Sequence, residues 1–142
     1  MEICTEIIEN LRTLVRFKTV SYKDSALEDD NEFKKLIESL PKLYPNVAKV
    51  CSFKELADRA LLFCWQGQEH NDVSVMMAHY DVVPANEEDW DKPPFEAVLE
   101  DGVVWGRGTL DTKVTFNGIL SAADKLIADG FTPKNDIYFA FS

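Results

Sequence analysis

Residues 77–113, MAHYDVVPANEEDWDKPPFEAVLEDGVVWGRGTLDTK, decide how this chain is read. The stretch opens at the end of an apolar run, Val73 to Ala78, whose composition predicts a strand that delivers His79 at its C-terminal end. It closes on Gly106-Arg107-Gly108-Thr109-Leu110-Asp111, a glycine-bearing turn between a short strand and a helical pattern. A strand, a loop and then a helix indicate the α/β class, and in open α/β sheets sites gather beyond the C-terminal ends of strands.

Three side chains in this stretch suit metal chemistry. In an extended segment residues two apart point to the same side, so Asp81 can sit beside His79. A carboxylate that accepts the far N–H of a metal-bound histidine fixes its tautomer and raises its basicity. Asp111 is the third candidate, because carboxylate oxygens suit divalent cations and one carboxylate can bridge two of them. The plainer readings are a structural histidine at 79 and an ordinary helix cap at 111. His70, between Glu69 and Asn71 in a polar turn, reads as surface.

Gly106-x-Gly108 also begins a dinucleotide fingerprint. Its third glycine position is Asp111, whose charge would repel a pyrophosphate at the helix start. A Walker-type loop is absent as well, so nucleotide binding is set aside.

Upstream, Ile3, Ile7, Leu11, Leu14 and Val15 recur at helical spacing and predict an amphipathic helix ending near Lys18. Asp29, Asp30 and Asn31 predict the start of a second helix, with Phe33, Leu36, Ile37 and Leu40 inward and Pro41 as its stop. The alternation from Val47 to Phe53 predicts a strand, and the apolar run from Ala60 to Trp65, closed by Gly67, predicts another. Short strands are expected from Ala97 to Leu99 and from Val103 to Trp105, turned by Asp101-Gly102. Thr112 to Asp129 reads as the longest helix, with Phe116, Ile119, Leu120, Ala123 and Leu126 inward and Gly130 as its C-terminal cap. The segment from Ile137 to Ser142 reads as a strand at which the chain stops, hence as a truncation that leaves an open sheet edge prone to aggregation.

At 142 residues the chain suits one domain, with 46% hydrophobic and 28% charged residues, ordinary for a globular protein. A net charge of -10 disfavours nucleic acid and anionic membrane surfaces, because phosphate groups would be repelled. The acidic start, MEICTEIIEN, is unlike a signal peptide, and no apolar run approaches the roughly 18 residues of a membrane span. Cys4, Cys51 and Cys64, odd in number and widely spaced, suit reduced thiols in a cytoplasmic protein, with Cys51 and Cys64 packed in the core.

The ordered motifs AHYDVVP, Trp90, Pro93-Pro94-Phe95, Asp101-Gly102 and WGRGTLDTK resemble the co-catalytic zinc peptidases and deacylases. That family includes carboxypeptidase S, glutamate carboxypeptidase, aminoacylase and succinyl-diaminopimelate desuccinylase. The DVVP and PPF portions lean toward its carboxypeptidase and dipeptidase side. The resemblance implies an α/β catalytic domain of the phosphorylase/hydrolase-like kind, a mixed β-sheet flanked by helices, here incomplete. It implies that His79 is the terminal ligand of one zinc, that Asp81 orients it, and that Asp111 bridges two ions, with a following peptide bond that is often cis. Zinc (Zn2+) is the expected cofactor, two ions per intact site, with Co2+ or Mn2+ as substitutes.

Position 112, often Met or Asp in the family, is Thr here and is expected to matter little. Arg107 and Lys113 are expected to support the turn rather than touch substrate. The family's general-base glutamate, its neighbouring glutamate ligand, the later ligands and a lid or dimerisation domain would all fall beyond Ser142. A homodimer, if formed, would use that further domain. The function implied is hydrolysis of an amide bond in a small peptide, or alternatively deacylation of an N-acyl amino acid. These 142 residues alone are expected to be inactive. A third reading is a non-catalytic module that keeps the fold and works through partners.

Overall fold

The computed structural model describes residues 2–142, with side chains from Cys4 onward. Its first helix, α1 (Glu2–Arg16), follows the predicted stripe: Leu11, Leu14 and Val15 are buried, whereas Ile7 stays exposed. The side chain of Ile3 lies outside the described residues. Helix α2 (Asp30–Leu43) starts where its acidic residues predict, with the Asp29 carboxylate accepting the Asn31 N–H at 3.0 Å. Phe33, Leu36 and Leu40 form its buried face.

Pro41 does not stop α2. It lies in the last turn at the cost of one i→i−4 bond, and the helix continues past it until the Tyr44 N–H closes on Leu40 O at 2.8 Å. The strand expected from Val47 is also corrected. Residues Pro45–Val50 form a short helix, α3, and only Ser52–Glu55 is extended, as β1. The cause is tertiary: the Asp124 carboxylate accepts the N–H groups of Asn46 and Val47 at 2.7 and 2.9 Å, capping α3 from outside.

The remaining strands are β2 (Leu61–Trp65), β3 (Glu69–Ala78), β4 (Val98–Glu100), β5 (Val103–Trp105) and β6 (Asn135–Phe141). Asp101 and Gly102 turn β4 into β5 with positive φ at both positions, as a tight hairpin requires. Ala97 is not part of β4; its φ of 51° turns it into a small cluster with Leu11 and Val15. Helix α4 (Val114–Ala128) begins two residues later than predicted, after a wide turn from Thr109 to Lys113, and equals α1 in length at 15 residues. Leu126 is exposed, against the prediction, while Phe116, Leu120 and Ala123 are buried. Gly130 takes φ +81° and the Phe131 N–H reaches back to Leu126 O, a left-handed C-terminal cap.

The main sheet is mixed, in the order β1-β2-β6-β3, with β6 antiparallel to β2 and parallel to β3. One face, carrying Leu61, Phe63, Trp65, Phe139 and Phe141, packs with Leu14, Leu36, Leu40, Phe116 and Leu120 of the helices. Each such side chain removed from water contributes roughly 1.5–3 kcal/mol. Strand β3 lies at the sheet edge and is exposed along most of its length. Cys51 is buried, Cys64 half-buried and Cys4 exposed, all as free thiols. No helix among the described residues is long and apolar enough to cross a membrane.

Candidate metal centre

Strand β3 ends at Ala78 and hands the chain to His79, whose position is then fixed from several sides. Between His79 and Asp81, Tyr80 is fully buried, its ring packed edge-on against Phe33 and tilted against Phe116. The Tyr80 hydroxyl donates to Arg59 O, and Thr19 Oγ1 donates to Tyr80 O at 2.6 Å. A parallel bridge between Val20 and Val82 anchors the segment just beyond. With Tyr80 pointing into the core, its two neighbours are left facing outward.

Asp111 arrives from the turn before α4. Gly108 takes φ +83°, and a Cβ there would meet Val82 Cγ1 at 2.3 Å, so only glycine allows this approach. Lys113 is fully buried and donates from Nζ to Leu14 O and Phe17 O, each at 2.8 Å, pinning the turn to the end of α1. Burial pushes its ammonium pKa down to about 7. The peptide bond between Asp111 and Thr112 is cis. Asp111 does not cap α4, whose start has no side-chain cap.

The structure brings all three candidate residues together. His79 Nδ1 lies 2.9 Å from Asp81 Oδ1 and 3.1 Å from Asp81 O, while His79 Nε2 lies 3.0 Å from Asp111 Oδ1. Partial burial opposes the charged imidazolium, but the Asp81 carbonyl, the Asp111 carboxylate and the Asp81 carboxylate outweigh it and raise the His79 pKa. With Nδ1–H donated to Asp81, the Nε2 lone pair of a neutral imidazole would confront a carboxylate oxygen. That arrangement is repulsive unless a proton or a cation lies between them.

The donors therefore suit a divalent cation in kind. Neighbouring ligands of a tetrahedral zinc, with bonds of about 2.0–2.1 Å, stand about 3.3 Å apart, close to the spacing here. In number they fall short: among the described residues no group of three or more His, Cys, Asp or Glu side chains gathers as a metal site. Asp111 is 82% exposed, which leaves its carboxylate open to further partners.

Sequence reading missed one contributor. Thr112 Oγ1 accepts the His79 N–H at 3.2 Å and donates to His79 O at 3.0 Å, so the residue expected to matter little clamps the histidine backbone. No short pattern signals a hydroxyl meeting a backbone 33 residues away. His70, expected at the surface, is exposed there and paired with Asp136 at 2.8 Å.

His79, Asp81 and Asp111 line a pocket of about 350 Å³ together with Val83, Trp90 and Arg107. The model of Peptidase family M20/M25/M40 matches residues 75–142, the segment that carries this pocket's His79 and Asp111. The chain is 36% identical over 140 residues to "Probable carboxypeptidase S-like 2" of Dictyostelium discoideum, covering 96% of this chain and 27% of that protein. It is 34% identical over 136 residues to "N-fatty-acyl-amino acid synthase/hydrolase PM20D1" of Xenopus tropicalis, covering 94% and 26%. Among solved structures, the dipeptidase Dug1p from Saccharomyces cerevisiae aligns with a TM-score of 0.76 at 18% identity, over 99% of this chain and 32% of that one, a likeness of fold. The chain thus spans about a quarter of the length of the curated relatives it matches. Its motifs, its mixed sheet and these matches make the chain similar to proteins of the M20 peptidase family, whose model it matches over residues 75–142.

Proposed function

We propose that the protein containing this segment hydrolyses the amide bond of a small peptide or an N-acyl amino acid with the help of bound zinc. The observation that carries the reading is the approach of His79 Nε2 to Asp111 Oδ1 at the mouth of a pocket, with Asp81 behind the imidazole. His79 and Asp111 would hold the metal, and Asp81 would keep His79 in the tautomer that leaves Nε2 free. Bound divalent cations supply Lewis acidity, which polarises a carbonyl and makes water acidic enough to attack near neutral pH. Val83 and Trp90 give the same pocket an apolar wall against which a substrate side chain or acyl group can rest.

Two substrate classes follow from the relatives. The dipeptidase and carboxypeptidase likenesses favour a small peptide, and the likeness to the fatty-acyl-amino acid synthase/hydrolase favours an N-acyl amino acid. Assaying the full-length protein on dipeptides and on N-acetyl amino acids separates them. Activity lost with a chelator and restored by zinc supports the reading; chelator-resistant hydrolysis, or none on either class, overturns it. Because this chain supplies so few donors, the isolated 142 residues should bind zinc weakly and turn over no substrate. The odd number and wide spacing of the cysteines support a cytoplasmic location on this reading.

A further inference from the structure

The connection between β1 and β2 carries two consecutive non-glycine residues in the left-handed region, Asp58 at φ 56° and Arg59 at φ 63°. Residues with a Cβ avoid that region, and such a conformation persists only where its surroundings hold it. Here the Arg59 side chain supplies the hold. Its guanidinium donates to Glu28 Oε2 at 2.7 Å and to Asp30 Oδ1, one terminal nitrogen to each carboxylate. Its Cζ also lies 3.9 Å from the centroid of the Phe33 ring. The loop is thereby tied to the start of α2. Of the two carboxylates, Glu28 is 10% exposed and Asp30 85%, so the Glu28 contact is the less screened.

Arg59 does not line the pocket, yet it reaches the metal site by two routes that meet at Tyr80. Its carbonyl oxygen accepts the Tyr80 hydroxyl, and Phe33, on which its guanidinium rests, packs edge-on against the Tyr80 ring with centroids 6.0 Å apart. Tyr80 stands between His79 and Asp81, so any shift of its buried ring passes along the backbone to both. Metal ligands tolerate little such movement, because a working site needs its side chains within about 0.5 Å of their places. We propose that Arg59 is a positioning residue for the metal site, acting on His79 and Asp81 through Tyr80, a role that rests on the zinc reading above. An ion pair near the surface contributes little by itself. This one fixes a carbonyl that the site depends on.

The test is a double-mutant cycle on the full-length protein. It is read as zinc affinity, by competition with a chromophoric chelator, and as the melting temperature of the metal-free protein. Arg59→Gln should weaken zinc binding roughly 5- to 10-fold, within the range for residues coupled through one network. Tyr80→Phe deletes the hydroxyl and should weaken it by a similar factor. In the Tyr80→Phe background Arg59→Gln should add only about a twofold loss, because the hydroxyl link is already cut. Arg59→Lys keeps the charge without the fork that spans two carboxylates, and should restore part of the affinity. A role confined to the loop's own stability lowers the melting temperature and leaves zinc affinity unchanged, a result that would overturn the proposal. Independent factors that simply multiply in the double variant would overturn it as well. Should Arg59→Gln fail to fold, the same cycle is read with Arg59→Lys. A wild type without measurable zinc affinity would sink the zinc reading itself, and the role of Arg59 with it.

Discussion

His79 Nε2 and Asp111 Oδ1 stand 3.0 Å apart across 32 residues of sequence. Two segments with no local reason to meet are held there by a buried tyrosine on one side and a buried lysine on the other. Asp81→Asn should keep this geometry but weaken the hold on the imidazole tautomer. Zinc affinity of the full-length protein, measured by competition with a chromophoric chelator, should fall about 10–100-fold. An unchanged affinity would remove Asp81 from the site.

Thr112→Val deletes both hydrogen bonds between the hydroxyl and the His79 backbone. At roughly 0.5–1.5 kcal/mol net for each bond, the variant should lose about 1–3 kcal/mol in urea unfolding. Thr112→Ser keeps the hydroxyl and should lose much less.

Lys113 gives a contrast between two substitutions. Lys113→Met fills most of the space but leaves Leu14 O and Phe17 O without this donor, a cost of about 1–3 kcal/mol. Lys113→Ala adds a cavity and should be the less stable of the two by a further ~2 kcal/mol. Equal stability of both variants would mean that the site collapses around the smaller side chain.

Asp136 sets a pH dependence. Its carboxylate accepts the Gly67 N–H at 2.7 Å and faces His70 Nδ1 at 2.8 Å, and these contacts hold its pKa below the ordinary value. A carboxyl whose folded pKa is depressed binds fewer protons than its unfolded counterpart, so its stabilisation is complete above the unfolded value near ~3.9. That stabilisation is lost as pH falls through the lower folded value. Melting temperatures measured from pH 6 down to pH 3 should drop more steeply for the wild type than for Asp136→Asn.

Asp124→Ala removes the external cap of α3 and should cost about 1–2 kcal/mol. Amide exchange of residues 45–50 should quicken, while α4, which carries the substitution, keeps its protection. Slow exchange throughout α3 in the variant would show that the helix stands without its cap.

The same carboxylate explains why residues 47–50 are helical where their alternation predicts a strand, while Ser52 and Phe53 are extended as expected. Val47 and Val50 favour extended structure locally, and the group that makes them helical lies some 77 positions away. Pro41 is a similar case, since a local stop signal loses only one intrahelical bond and α2 runs two residues beyond it. The site itself was more legible. His79 at a strand end, Asp81 two residues on and Asp111 after a glycine turn are local signals, and the structure gathers them. Thr112 was not legible, because its importance lies in a partner far along the chain.

The place of β6 has a consequence for how the polypeptide acquires its shape. It lies between β2 and β3, so the two stretches made earlier have no edge to share until residues 135–141 have emerged from the ribosome. Until then Phe63 and Met76, both neighbours of Phe139 in the finished sheet, have nothing to join them. Joining of β3 to the β1-β2 pair therefore waits for β6, and a nascent chain halted before Asn135 would offer β3 unpaired to chaperones.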